Sequence, residues 1–173
     1  VPCQPRQVRV LSQVFGGDGH GKLLDIVRSD GPDPLRGGAA IALGPALEEA
    51  FEVGFDDELD SSFDTRVLGE ARVLEIQTVL RALHDDEQAP KTVRRMCLEA
   101  SVRAPQPWHP EAVRAACARD DAEWRLTAVF CMGRIEGFET ELLAALDTDD
   151  VKLLVEAVRS AALAEVGAAA PTV

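Results

Sequence analysis

The chain has 173 residues, with 18 Lys and Arg against 30 Asp and Glu, for a formal net charge of −12. That balance opposes a smooth duplex-binding surface, because phosphate contact needs an excess of Lys and Arg, so no nucleic-acid partner is expected. No run of about 18 apolar residues occurs, so no membrane-spanning helix is expected, and abundant Ala and Leu without alternating β-branched runs point to an all-α fold.

The first predicted helix covers residues 5 to 15, with Val8, Val10 (or Leu11), Val14 and Phe15 at helical spacing. The glycines of Gly16-Gly17-Asp18-Gly19-His20-Gly21 then break it. Lys22 to Arg28 resumes as a second short helix through Leu23, Leu24, Ile26 and Val27. In Asp33-Pro34, Asp33 can cap a helix and Pro34 suits its first position, where no N–H partner is needed. The stripe Leu35, Ala39, Ala40, Ala42, Leu43 follows, and Gly44-Pro45 should end or kink it. Leu47 to Phe55 then reads as helix again.

Asp56 to Asp64 reads as an acidic loop, and Val67 to His84 as a long helix. Its buried side should include Leu68, Ala71, Val73, Leu74, Ile76, Leu80 and Leu83, leaving Arg72, Gln77 and Arg81 in water. Lys91 to Val102 is the next helix. Pro105, Pro107 and Pro110 interrupt the chain around Trp108-His109. Helices then follow at Glu111 to Ala118, Glu123 to Arg134, Glu139 to Leu146 and Val151 to Val166. Asp120-Asp121 and the turn ending at Asp150 should cap the second and fourth of these, and residues 167–173 read as a flexible tail.

One short pattern, an apolar residue followed by Arg, recurs along this series at Val8-Arg9, Leu35-Arg36, Val93-Arg94 and Trp124-Arg125. The arginines are 27, 58 and 31 residues apart, and 29 residues after Arg125 the pattern returns with Leu154 in place of Arg. A period near 30 marks a helical repeat. The stretched interval isolates residues 45–84 as an expanded or degenerate repeat within a single repeat domain covering 1–173.

Two stretches carry the nearest family likeness: Pro32-Asp33-Pro34-Leu35-Arg36 with Ala39-Ala40 and Ala42-Leu43-Gly44, and Asp120-Asp121-Ala122-Glu123-Trp124-Arg125 with Ala128-Val129 and Met132-Gly133. In these the chain resembles the bacterial type of HEAT repeat, a HEAT-like or armadillo-type helical repeat. The resemblance implies a right-handed α-α superhelix of about four to five helix pairs. Its arginine-bearing A helices would line the outside and its B helices a concave inner surface. It also implies that Arg36, Arg94 and Arg125 are structural ties between neighbouring repeats.

Other constellations are weak. Gly16 to Lys22 has the glycine and lysine spacing of a phosphate-binding loop, but Leu23 stands where a Mg²⁺-binding hydroxyl is needed and a helix precedes it. Residues 48 to 64 hold eight acids and no Lys or Arg, without the spacing of a calcium loop. His20, His84 and His109 are far apart and form no H-x-x-x-H, so neither a metal nor a cofactor is expected. Cys3, Cys97, Cys117 and Cys131 form no C-x-x-C pair and read as small apolar residues of a reducing compartment. With no signal peptide visible, this suggests a cytoplasmic protein. Trp108-His109 reads as a plug at one end of the repeat core or as a binding anchor, and Trp124 as core.

Because no catalytic arrangement emerges, the expected function is a non-catalytic scaffold for a protein or peptide partner, with self-association through the repeat ends as a further expectation. Candidate partner-binding residues are Arg72, Gln77, Arg81 and Arg114 on B helices, and Asp56, Asp57, Glu58 and Asp60 in the acidic loop. The rival reading is a HEAT-like cofactor-handling enzyme such as a bilin lyase-like protein.

Overall fold

The computed structural model describes residues 19–53 and 68–166. Eight helices form among them: α1 (Gly19–Arg28), α2 (Asp33–Val53), α3 (Glu70–Asp85), α4 (Lys91–Ser101), α5 (His109–Cys117), α6 (Ala122–Met132), α7 (Glu139–Ala145) and α8 (Val151–Leu163). The expected helix at 5–15, the acidic loop 56–64 and the tail 167–173 lie outside the described residues. No helix among the described residues is long and apolar enough to cross a membrane.

The chain divides into two compact units, Val1–Ala104 and Pro105–Val173. In the first unit α1 packs along α2 and α3 along α4, and the two hairpins are joined chiefly through α2 against α4. In the second, α5 packs along α6 and α7 along α8, with α6 against α8 as the main contact between hairpins. The same plan thus occurs twice. It corrects the phase of the expected pairing: among the described residues, each arginine-bearing helix is the second of its packed hairpin, not the first.

Arg36, Arg94, Arg125 and Leu154 are each the fourth residue of α2, α4, α6 and α8. The 58-residue interval between the first two holds one further hairpin among the described residues, and α2 itself runs on for 21 residues. It continues through Gly44-Pro45, where a break or kink is expected, with Pro45 inside the helix. A mid-helix proline removes one hydrogen bond and crowds the preceding turn. The burial of Leu43, Ala46, Leu47 and Ala50 offsets that cost. Gly44 also lets the Arg103 side chain cross α2 and reach Glu48 at 2.6 Å.

Side-chain caps mark two of the helix starts. Asp121 accepts from the N–H groups of Glu123 (2.9 Å) and Trp124 (3.2 Å), and Asp150 from those of Lys152 (2.8 Å) and Leu153 (3.3 Å). Both expected caps are therefore present at equivalent positions. Two starts depart from expectation. Gly19, His20 and Gly21 belong to the first turn of α1 rather than to a loop, a place where glycine costs little. Asp33 is already helical, with the Pro32 carbonyl accepting from Leu35 and Arg36.

The core of the first unit contains Leu24, Val27, Leu43, Leu47, Ile76, Leu80, Val93 and Cys97. In the second unit the buried residues include Val113, Trp124, Ala128, Met132, Phe138, Leu142 and Ala157. Trp124 is core, as expected. Leu35, Ala71 and Leu74, assigned to apolar stripes from the sequence, are exposed.

The helices meet closely at one recurring place. A Cβ added at Gly133, the residue capping α6, would lie 2.7 Å from Ser160 Cα in α8. A Cβ on Gly44 would lie 3.6 Å from Ala100 Cα in α4. Counting from each helix start, the glycines occupy position 12 and the residues they face position 10. The hairpins of both units therefore dock in one register, set by a residue without a side chain facing a small one.

Candidate functional site

The Arg repeat itself resolves into a structural role at two positions. Arg36 Nε donates to the Val27 carbonyl at 3.2 Å, and Arg94 Nε to the His84 carbonyl at 2.9 Å. In each case the acceptor lies near the C-terminal end of the preceding helix, where carbonyls lack an intrahelical partner. The tie therefore runs within a hairpin rather than between neighbouring repeats. Arg125 departs from the rule, being exposed with no such bond to α5 among the described residues.

The candidate partner-binding residues separate. Arg72 and Arg81 lie on the outer side of α3. Arg72 reaches Glu75 at 2.8 Å, and Glu75 also meets Arg28 of α1 at 3.1 Å, so one carboxylate links two helices. Arg81 meets Asp85 at 3.5 Å along the same helix. Arg114, exposed on α5, sits over the Phe138 ring at 4.9 Å. Such contacts hold guanidinium groups in place at the surface and contribute little to stability. These helices are the first of their packed hairpins, whereas the sequence reading makes them second. Asp56, Asp57, Glu58 and Asp60 lie outside the described residues.

Gln77 is a correction. It is only 6 % exposed, and its Nε2 donates to the carbonyls of Ser101 (2.9 Å) and Ala104 (3.0 Å). Two converging carbonyls require the amide nitrogen on that side. Gln77 therefore fastens the end of α4 to α3 and is not displayed to a partner. Its neighbours Ile76 and Leu80 share the buried stripe with it.

The described histidines make local contacts of their own. His84 Nδ1 lies 3.2 Å from the Arg94 carbonyl, so that nitrogen carries a proton and donates. His109 is buried, and its Nδ1 accepts from Gln106 N–H at 2.7 Å, which puts the ring proton on Nε2. Trp108 lies half-buried with its ring centroid 4.0 Å from that of His109. Cys97 and Cys131 are buried, as expected, but Cys117 is exposed. Burial pushes the Cys97 thiol up to about 12, with the Arg36 charge acting the other way. Among the described residues no group of three or more His, Cys, Asp or Glu could hold a metal ion.

The sequence reading missed one surface feature. Val151, Val155 and Val158 of α8 are 72 %, 44 % and 53 % exposed, and Ala162 beside them is exposed too. Their spacing puts all four on one helical face. The signal was present as valines four and three residues apart, but apolar residues also fill the other side of this helix, so periodicity alone did not separate the faces.

No family model matches the chain, and neither a curated protein nor a solved structure matches it.

Proposed function

We propose that this chain is a HEAT-like helical-repeat protein that serves as a non-catalytic scaffold for a protein or peptide partner. The observation that carries the reading is the repeated build of its hairpins. The second helices share position 4 for the arginine or its replacement, position 10 for a small residue and, in α2 and α6, position 12 for the glycine. A fold assembled by stacking equivalent units presents rows of side chains on fixed helices, and such surfaces bind partners along their length. Arg72 and Arg81 of α3 and Arg114 of α5 supply cations on first helices. Acids at 56, 57, 58 and 60 supply a second candidate patch of opposite sign.

Affinity capture from the source organism with the wild-type chain and with Arg81→Glu plus Arg114→Glu tests this. The two arginines lie in different units, so the double change removes a cation from each. Partner capture should be lost while helicity by circular dichroism is unchanged. Capture that survives removes these arginines as the binding surface. A pigment co-purifying with the chain, seen by absorbance, would instead support the bilin lyase-like reading.

A further inference from the structure

We propose that Met96 is an oxidation site: a peroxide converts its thioether to the sulfoxide, and the added oxygen loosens the docking of α2 on α4. The chain has two methionines, Met96 and Met132. Met132 is 1 % exposed, within the core of the second unit. Met96 is half-buried, on the α4 side of the contact that joins the two hairpins of the first unit. Oxidation follows access to the sulfur, so the two methionines react unequally.

A residue without a side chain sets the place of the sulfur. A Cβ added at Gly37 of α2 would overlap Met96 Sδ, and would lie 3.4 Å from its Cγ and 3.5 Å from its Cβ. The thioether therefore fills the space that any larger residue at 37 would take. Further along α2, Gly44 continues the seam beneath Ala100 and Arg103. A thioether suits such a slot, being apolar, unbranched and adaptable. A sulfoxide does not, because its oxygen adds bulk and needs a donor, and helical N–H groups past the first turn already bond within α2. The oxygen must turn out to water, drawing the sulfur off Gly37, or stay unpaired in the seam. Either result weakens the contact between α2 and α4. At the equivalent positions of α6 and α8 stand Leu126 and Glu156, which have no such chemistry.

The step balances with hydrogen peroxide as the oxidant. A lone pair of the sulfur attacks one peroxide oxygen as the O–O bond breaks. An S–O bond forms and the sulfur gives up an electron pair. The other oxygen takes the proton of the first and leaves as water. A thiol-dependent sulfoxide reductase reverses the change, releasing water and a disulfide. The adjacent Cys97 does not compete. It is buried and its thiol is held protonated, whereas the thiolate is the reactive form.

Treatment of the full chain with hydrogen peroxide, in a Cys3→Ser, Cys117→Ser background, tests the proposal. Peptide mass spectrometry should find oxygen added at Met96 while Met132 is still intact. Hydrogen exchange should then quicken in α2 and α4 and stay unchanged in α6 and α8, and the urea midpoint should fall. Incubation with a methionine sulfoxide reductase and a thiol should restore both. Met96→Leu keeps an apolar side chain of similar size in the slot and should show neither change after treatment. Should that variant fail to fold, the exchange pattern and its reversal in the parent chain decide alone. Equal oxidation of Met132 overturns the proposal, as does full oxidation of Met96 with exchange and midpoint unchanged. The same loss in the treated Met96→Leu chain also overturns it. Partner capture through Arg81 and Arg114 is read separately and does not decide this outcome.

Discussion

Arg94 and His84 bind each other's backbone: Arg94 Nε donates to the His84 carbonyl at 2.9 Å, and His84 Nδ1–H points at the Arg94 carbonyl across 3.2 Å. The pair locks the end of α3 to the first turn of α4. Arg36 makes half of this arrangement, to the Val27 carbonyl. Arg125, at the same helix position, makes neither half.

These differences give unequal costs to equal changes. Arg36→Ala and Arg94→Ala should each lower the unfolding free energy by about 1–3 kcal/mol, since each leaves a carbonyl without its charged donor. Arg125→Ala should stay within about 0.5 kcal/mol, as for other exposed side chains. Urea unfolding of the three variants checks the ordering. An equal loss at all three positions would contradict the role assigned to the first two.

Asp121 and Asp150 each satisfy two N–H groups that their helices leave open. Asp121→Ala and Asp150→Ala should cost about 1 kcal/mol apiece. Replacement by Asn or Ser should recover most of the loss, because either side chain supplies an accepting oxygen. Thermal unfolding of the two pairs of variants reads this directly. No recovery with Asn or Ser would mean that the carboxylates act through charge rather than through capping.

Buried Cys97 and exposed Cys117 should differ sharply toward a thiol reagent. In a Cys3→Ser background, the native protein should show one rapidly reacting thiol, lost on Cys117→Ser, while Cys97 and Cys131 react only on unfolding. The raised Cys97 value also has a pH consequence. Between about 9, its ordinary value, and about 12, the unfolded chain loses this proton while the folded chain keeps it. Stability from this group is therefore fully present below the unfolded value and falls as pH rises through that window. The chain has no Tyr to add to the effect. Cys97→Ala should flatten this part of the alkaline decline in urea midpoint.

Much of the fold was legible because its signals are local. Asp121 and Asp150 announce helix starts through their own side chains, and the spacing from Arg94 through Arg125 to Leu154 follows the repeat. The phase of the pairing was not legible, because it depends on which neighbouring helix α2, α4, α6 and α8 lie along. Gln77 was misplaced for a related reason. Its polarity suggests water, but the carbonyls of Ser101 and Ala104 that satisfy it come from 24 and 27 residues away. Pro45 likewise reads as a break until the burial around it is known. Of the candidate site, the exposure of Arg81 on α3 and Arg114 on α5 was legible, whereas the open face of α8 was hidden by the apolar residues on its other side.

The register of the second helices is the claim on which the rest stands, and two glycines test it most directly. Gly133→Ala would bring a Cβ to 2.7 Å from Ser160 Cα and 2.9 Å from its carbonyl oxygen. Gly38, inside α2, has nothing within 4 Å of an added Cβ. Equilibrium urea unfolding should show Gly133→Ala destabilised by about 1–3 kcal/mol through overpacking. It should show Gly38→Ala stabilised by about 0.5–1 kcal/mol, the ordinary helical gain of Ala over Gly. If both substitutions stabilise the protein, α6 and α8 do not meet at Gly133 and Ser160, and the shared register fails.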